Sequence, residues 1–170
     1  MAKAYVPPIR PRDFDRPRPP LGEVYVKRLE LGWGDCDPAQ IAYTGRLPEL
    51  ALRAIEGWSV AVLGGNWFEL NLDWGLDSPF VRLGLEFLSP VTPRASLDCE
   101  VYVTRLGNSS LAQLVVARQA GRLSFTCRSV QVYVDRLSFV PAPLLANVRE
   151  TIEAYRDAFP PPPEFADDDA

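Results

Sequence analysis

The chain has 170 residues, a formal net charge of −4, 47% hydrophobic and 24% charged residues, and no histidine. These values are ordinary for one folded domain, and they exclude a disordered chain, a collagen-like repeat and a coiled coil. The lack of histidine excludes histidine-activated nucleophiles, histidine general bases and nearly every zinc site, so any chemistry must use carboxylates, hydroxyls or backbone dipoles.

Several classes of partner are disfavoured by what the sequence does not contain. The apolar stretches, around residues 60–64 and 80–88, are far shorter than the roughly 18 residues that a membrane span needs, and the start of the chain does not resemble a signal peptide. Basic residues do not cluster on the body of the chain, which disfavours nucleic acid. The three cysteines are widely spaced and suggest neither a disulfide framework nor a metal site. We therefore expect a cytoplasmic protein with no membrane or nucleic-acid partner.

Proline marks the two ends of the chain. Six of the 17 prolines lie in residues 1–20 and four at residues 160–163. Because proline lacks a backbone donor, these ends are unlike regular helix or strand. The sequence predicts a proline-rich extension over residues 1–22, a single domain over residues 23–159 and a proline-rich acidic tail over residues 160–170.

The first predicted elements are a strand and a long helix. Residues 23–33 alternate apolar and polar side chains with one shift of phase, which predicts a strand with a bulge. Residues 46–63 carry an apolar stripe at helical spacing, with charged side chains on the other face. Pro48 fits the first turn of this helix and Gly64 its end.

The rest of the body reads as an antiparallel meander. An aromatic loop over residues 66–79 precedes four segments of period-two alternation, and a short helix is predicted at residues 145–156. The four predicted strands cover residues 81–87, 97–104, 111–118 and 123–134, with a turn at Ala120-Gly121. Strands joined by short turns form an antiparallel sheet, and the long helix must pack across its concave face. The fold class is α+β.

Residues 37–43, Asp-Pro-Ala-Gln-Ile-Ala-Tyr, resemble the Asp-Pro-Ala-Gly-Ile-Val-Tyr segment of the 4-hydroxybenzoyl-CoA thioesterase family. Three further segments are similar to that family in the same order: residues 85–91, residues 105–110 with their Gly-Asn-Ser-Ser turn, and residues 132–135. The resemblance covers about residues 23–150.

This resemblance implies a hotdog fold, a five-stranded antiparallel sheet wrapped around one central helix. It also implies a thioesterase that hydrolyses an acyl- or aryl-CoA, with coenzyme A as part of the substrate and with no metal or further cofactor. The family assembles as homodimers or homotetramers with active sites between subunits. An acyl carrier protein thioester is an alternative substrate that the sequence does not separate from coenzyme A.

Asp37 matches the family's catalytic carboxylate and precedes the predicted helix. The resemblance implies that it attacks the thioester carbon or takes a proton from the attacking water. The backbone N–H groups of Thr44 and Gly45, at the positive end of the helix dipole, would hold the oxyanion. The alternative for Asp37 is an Asx-turn before Pro38. Asp35 is the rival carboxylate, interpreted as structural or supporting.

The resemblance also implies substrate-binding positions. Tyr43 and Gln40 belong to the Asp37 segment, and Arg105, Ser109 and Ser110 match the turn that receives the phosphates of coenzyme A. Gln40 stands where the family has glycine, so its amide either contacts the substrate or is merely tolerated. The turn of Ser109 and Ser110 is, on its own, better explained as an ordinary hairpin.

Other interpretations stay open. The aromatic loop, with Trp67, Phe68 and Trp74, would wall an acyl pocket or pack a helix end or dimer interface. Cys36 is better explained as a small packed residue than as a nucleophile, because it has no histidine to activate it and lies between two carboxylates. Hotdog dehydratases depend on a histidine that this chain lacks. The alternative to a hydrolase is a non-catalytic hotdog module that binds acyl-CoA.

Overall fold

The computed structural model describes residues 21–73, 75 and 77–166. Nearly all of the predicted N-terminal extension, Trp74 of the aromatic loop and the last four residues lie outside the described residues. Five strands are described: β1 (Val26–Leu29), β2 (Phe80–Phe87), β3 (Leu97–Leu106), β4 (Ser110–Gln119) and β5 (Arg122–Val132). The described α-helices are α1 (Leu47–Trp58), α2 (Trp67–Leu72) and α3 (Ala146–Ala158).

The described strands form one antiparallel sheet in the order β1-β3-β4-β5-β2, with α1 packed against it. This confirms the predicted α+β class and the five-stranded sheet around a helix. The long central strands are consecutive hairpins, while β1 and β2 are the two edges. The turn at Ala120 and Gly121, both at positive φ, joins β4 to β5 as predicted.

The core lies between the sheet and the apolar stripe of α1. On β3 the alternate residues Leu97, Cys99, Val101 and Val103 are all fully buried, as their period-two pattern predicts. They meet the buried side chains of α1, which repeat at helical spacing: Leu47, Leu50, Ala51, Ala54, Ile55 and Trp58. Burial of this continuous apolar surface is the main stabilising contribution to the fold.

The central helix is less regular than the sequence predicts. A 3₁₀ turn, Thr44–Arg46, leads into α1, and a π-helical segment, Ser59–Leu63, follows it. The Gly64 N–H donates to the Ser59 carbonyl at 2.9 Å, and Gly64 has a φ of 97°, the left-handed conformation that favours glycine at a helix end. The predicted span of residues 46–63 is therefore helical throughout, but in three geometries.

The first strand is shorter than predicted, and the predicted bulge is wrong. β1 covers four residues, and its register with β3 runs without a shift from Val26, opposite Glu100, to Leu29, opposite Leu97. Tyr25 packs against the core with Leu29, whereas Val24 packs with the cluster on the other side of the sheet. The apparent change of phase arises because both faces of this edge carry apolar side chains.

The aromatic loop contains a helix that the sequence analysis missed. Asn66 caps α2, because its side-chain Oδ1 accepts from the Glu69 N–H at 2.9 Å and Glu69 Oε2 accepts from the Asn66 N–H at 3.1 Å. This reciprocal capping box is readable in the sequence as Asn-x-x-Glu. Trp67, the first residue of α2, makes an edge-on contact with Phe80 at 5.5 Å between ring centroids.

Helix α3 packs against β3 beside the short strand β1. The Tyr155 hydroxyl accepts from the Tyr25 N–H at 3.0 Å and donates to the Val101 carbonyl at 2.6 Å, so it replaces one rung of the ladder between those strands. After α3 the chain crosses to the outer face of the sheet, where Phe165 packs against the Tyr102 cluster. None of the helices in the described ranges is long and apolar enough to cross a membrane.

Candidate functional site

Residues 36–42 form a small hairpin between β1 and the central helix. The Tyr43 N–H donates to the Asp35 carbonyl at 2.8 Å and the Asp37 N–H to the Ile41 carbonyl at 2.9 Å, while Cys36 and Ala42 pair as an isolated bridge. The Ala42 N–H donates to the Val91 carbonyl at 2.7 Å, which ties the hairpin to the segment after β2. The hairpin therefore has a fixed position beside the helix start.

Asp37 lies at the first position of the hairpin turn. Its Oδ1 accepts from the Ala39 N–H at 2.8 Å, and its carbonyl accepts from the Gln40 N–H at 2.9 Å. The Asx-turn proposed as the alternative for this residue is thus present. It engages only Oδ1, and within the described residues Oδ2 has no partner. The turn holds the carboxylate in one orientation and leaves one oxygen available for chemistry.

The helix start next to Asp37 offers two backbone donors. The first hydrogen bond of the 3₁₀ turn runs from the Arg46 N–H to the Tyr43 carbonyl at 2.8 Å, so the N–H groups of Thr44 and Gly45 precede it. Such groups have no partner inside the helix. Both residues are exposed. The Tyr43 ring lies against Gly45, and a Cβ at Gly45 would come 2.6 Å from that ring.

One surface depression, which we call the site depression, brings the carboxylate and the helix start together. It has a volume of about 440 Å³ and is lined by Gly34, Cys36, Asp37, Tyr43, Gly45 and Arg46. A second depression of about 290 Å³ lies between the helix start and the end of β2, and its lining includes Thr44, Leu47 and Phe87. A thioester bound at the helix start would meet the carboxylate on one side and apolar surface on the other.

Asp35 and Asp37 differ in how their carboxylates are used. Asp35 Oδ2 accepts from the Gly32 N–H at 2.8 Å, and its Oδ1 lies 3.8 Å from Arg46 Nε. Arg46 in turn pairs with Glu49, Nη1 to Oε2, at 2.8 Å. One oxygen of Asp35 therefore holds its own turn and the other faces Arg46 at the helix start, which supports the structural interpretation of Asp35.

Gln40 has a φ of 63°, in the left-handed region that favours glycine. The tip of the hairpin requires this conformation, which explains why the family motif has glycine at this position. The side chain of Gln40 is exposed. Its amide is therefore accessible to a ligand bound beside the hairpin.

The turn after β3 carries the predicted coenzyme A positions. Arg149 Nη2 donates to the carbonyls of Gly107 at 2.7 Å and Asn108 at 3.1 Å. None of the hydrogen bonds found in the described part of the chain uses the N–H of Asn108 or Ser109. Occupied carbonyls and available N–H groups suit an anion at this turn. Arg105, on the neighbouring strand, is exposed.

Within one subunit the two groups of predicted residues lie at opposite ends of the sheet. Leu29, which leads into the Asp37 hairpin, pairs with Leu97 at the start of β3, whereas Ser109 and Ser110 follow the end of β3. The ten residues of β3 span about 30 Å. A second copy of the chain that places its turn beside the Asp37 hairpin would bring the two groups to one ligand.

The three cysteines are free thiols that differ in burial. Cys36 is half-buried, and its Sγ lies 3.7 Å from the Gly32 carbonyl. Burial raises the pKa of Cys99 to about 12 and that of Cys127 to about 12. Because these two thiols are neutral at physiological pH and lie in the core, they do not act as nucleophiles.

Two arginines near the predicted positions were missed by the sequence analysis. Arg46 is one of the charged side chains on the polar face predicted for the helix, and it also lines the site depression. A cation in the first turn lies unfavourably near the positive end of the helix dipole. An arginine at this position of the sequence therefore indicates a nearby acidic partner. Arg149, which holds the Gly107 turn, gives no such signal, because the contact joins residues 42 positions apart.

Comparison with known proteins identifies structural relatives. No protein-family model and no curated protein matches the chain. Two solved structures share the fold at low identity. One is a thioesterase complexed with coenzyme A and Zn from Thermus thermophilus, 21% identical, with a TM-score of 0.67 over 78% of this chain and 93% of its own. The other is a 1,4-dihydroxy-2-naphthoyl-CoA thioesterase from Synechocystis, 16% identical, with a TM-score of 0.69 over 76% of this chain and 96% of its own.

A third structure is much more similar in sequence. It is a thioesterase superfamily protein from Jannaschia sp. CCS1, 39% identical, with a TM-score of 0.75 over 82% of this chain and 98% of its own. Identity at this level over nearly the whole relative shows common descent, and the sheet and helix agree with the predicted hotdog fold. The chain belongs to the hotdog-fold thioesterase superfamily.

Proposed function

We propose that this protein hydrolyses an acyl- or aryl-CoA thioester to the free acid and coenzyme A in the cytoplasm. The observation that carries the proposal is that Asp37 and the helix start at Gly45 line the same depression. The solved thioesterase that holds coenzyme A, and the one named for a naphthoyl-CoA, support a CoA thioester as substrate. The 4-hydroxybenzoyl-CoA-like subtype rests on the motif at residues 37–43.

In this proposal the thioester carbonyl oxygen points at the N–H groups of Thr44 and Gly45. These donors stabilise the negative charge that develops on the oxygen as the carbon becomes tetrahedral. Oδ2 of Asp37 then acts by one of two routes. It attacks the carbon and displaces the thiolate of coenzyme A, leaving an anhydride for water to hydrolyse, or it accepts a proton from the water that attacks.

The active form is a homodimer or a homotetramer, in which copies pair along the edge strand β2. This edge leaves Val81, Leu83 and Phe87 exposed, although they are apolar. An exposed apolar edge with unpaired backbone groups is a template for another strand. Pairing two copies also provides a way to bring the turn of Ser109 and Ser110, which would bind the phosphates, toward a second copy's Asp37.

A non-catalytic acyl-CoA-binding module is the alternative, favoured by the Asx-turn that already uses Asp37 Oδ1. The test is a release-of-thiol assay on short, long and aromatic acyl-CoAs, and on one acyl carrier protein thioester. We expect hydrolysis of at least one acyl-CoA well above the buffer rate. Binding of acyl-CoA, seen as a rise in melting temperature, without hydrolysis of any thioester would replace the hydrolase with the binding module.

A further inference from the structure

The strand β2 forms one edge of the described sheet, where it pairs with β5. Its alternate residues divide between the two faces of the sheet. Those that face the helix lie opposite inward-facing residues of β5: Leu83, Leu85 and Phe87. Those between them lie on the outer face: Arg82, Gly84 and Glu86. The free side of β2 therefore presents an apolar inner row and a polar outer row.

The outer row carries two opposite charges placed evenly about a glycine. Arg82 and Glu86 are both exposed, and each is two residues from Gly84. Four residues of strand correspond to about 13 Å, so these two positions are not neighbours on one copy. Within the described residues no hydrogen bond or ion pair engages the side chain of Glu86. A half-turn about Gly84 exchanges the two positions, which makes this row complementary to a second copy of itself.

Only a few antiparallel registers can join two β2 strands into one sheet. Directly opposite residues share a face, so the twofold axis of a symmetric pair passes through a residue. An axis at Arg82 or Glu86 sets like charges opposite each other. An axis at Leu83 or Leu85 sets one charge opposite Gly84 and the other opposite an apolar residue. An axis at Gly84 sets Arg82 of each copy opposite Glu86 of the second copy.

The inner row agrees with the axis at Gly84. Leu83 of each copy then lies opposite Leu85 of the second copy. Leu83 is exposed and Leu85 is half-buried, so the pairing covers apolar surface that one copy leaves accessible. Opposed apolar side chains stabilise a pair of strands. The same register thus matches charge on the outer face and apolar surface on the inner face.

The two charged pairs act mainly on the choice of register. An exposed ion pair contributes little to affinity, whereas like charges set opposite each other are unfavourable. Paired strands slip relative to each other unless some feature fixes their register. Arg82 and Glu86 supply that feature, because each faces the opposite charge in one of the five registers alone.

We propose that two copies of this chain pair through β2 in the antiparallel register that has Gly84 on the twofold axis, selected by Arg82 and Glu86. The inference rests on the proposed pairing along β2 and specifies its geometry. The end of one β2, where Phe87 lines the second depression, then lies beside the start of β2 in the second copy. The register therefore sets which part of the second copy approaches the helix start.

Cysteine cross-linking locates the axis, because a residue on the axis faces the same residue of the second copy. A Cβ added at Gly84 meets no atom within 4 Å, so Gly84→Cys should be accommodated. Opposed residues have Cα atoms about 4.5–5.5 Å apart, which is within the range of a disulfide. We expect mild oxidation to link Gly84→Cys into a dimer on a non-reducing gel. Leu83→Cys and Leu85→Cys are the matched controls and should stay largely unlinked, as should the wild type with its three free cysteines.

Charge reversal tests how the register is selected. Arg82→Glu and Glu86→Arg each set like charges opposite each other twice, and each should raise the dissociation constant of the dimer about tenfold. The double variant restores opposite charges across the axis and should return the dissociation constant to the wild-type value. Sedimentation velocity measures all three variants. A double variant that dimerises no more tightly than the single variants would overturn the role of the two charges.

The outcomes separate this inference from the proposals on which it rests. A disulfide at Leu83→Cys or Leu85→Cys in place of Gly84→Cys overturns the register and leaves pairing along β2 intact. Failure of all three variants to link overturns both the register and pairing along β2. Hydrolysis is decided separately by the release-of-thiol assay. If Gly84→Cys does not fold, the charge-reversed double variant alone decides.

Discussion

The two edge strands of the sheet, β1 and β2, differ in length and in the character of their exposed side chains. The β1 edge has only four residues, two of them Lys27 and Arg28, and Tyr155 bridges the ladder where β1 begins. The β2 edge has eight residues with exposed apolar side chains on it. Short, charged edges resist strand addition and long, apolar ones invite it. The comparison supports the proposal that copies associate along β2 and not along the short, charged β1.

The largest expected effect comes from placing a charge on the open edge. Leu83→Lys would set two like charges near each other across a paired β2 edge, and should raise the dissociation constant of the oligomer about 100-fold. Val26→Lys is the matched control, because Val26 on the short β1 edge is 44% exposed and Leu83 is 38% exposed. Sedimentation velocity measures both. Equal effects of the two substitutions would end the distinction between the edges.

Removing the Tyr155 bridge between β1 and β3 should lower stability and leave association unchanged. Tyr155→Phe leaves the Tyr25 N–H and the Val101 carbonyl without their shared partner, which should reduce the free energy of unfolding by about 2 kcal/mol. Tyr102→Phe, whose hydroxyl donates to Glu100 at 2.8 Å, serves as control and should have a smaller effect. Urea denaturation compares them. A negligible effect of Tyr155→Phe would show that its hydroxyl does not stabilise the pairing of the start of β1 with β3.

Two buried groups beside β1, Cys99 and Tyr155, should also make stability sensitive to high pH. Burial raises the pKa of Cys99 from 9.0 to about 12 and that of Tyr155 from 10.0 to about 12. Because both groups release protons more readily in the unfolded chain, stability is intact below about pH 9 and falls as the pH rises to about 12. The urea midpoint measured across this interval should fall less in Cys99→Ala. A midpoint that does not depend on pH there would contradict the stated burial.

The smallest effect is expected at the hairpin, away from both edges. Gln40→Gly relieves a left-handed non-glycine residue and should raise stability by about 1 kcal/mol. Ala120→Gly relieves a similar conformation, φ 50°, at a turn without a proposed function. If the Gln40 amide contacts substrate, only Gln40→Gly should also raise KM. Equal KM values for the two variants would assign Gln40 to the loop alone.

The sequence predicts the sheet well where one face of each strand meets the core. On β3 the alternation of apolar and polar residues coincides with burial at every second position. The prediction from alternation fails at β1. This edge strand has apolar residues on both faces, so the alternation does not show which face is buried. The sequence-based prediction also fails at α2. The segment was interpreted as a loop because of its aromatic residues, although Asn66 and Glu69 have the spacing of a capping box.

The candidate site is predicted only in part, for a similar reason. Asp37, Thr44 and Gly45 are close in sequence, so a local motif is enough to group them. Arg149 reaches Gly107 through tertiary packing, so no local pattern reveals this contact. The roles of Asp37 and of Ser109 and Ser110 stay predictions.

The central claim is that the carboxylate of Asp37 is the reacting group. The most direct measurement is kcat of Asp37→Asn beside Asp35→Asn, on whichever acyl-CoA the wild type hydrolyses best. Asparagine retains the oxygen that accepts from the Ala39 N–H, so the hairpin should persist. We predict that Asp37→Asn lowers kcat about 100-fold or more, with a much smaller effect of Asp35→Asn. Full activity in a folded Asp37→Asn variant would contradict the account.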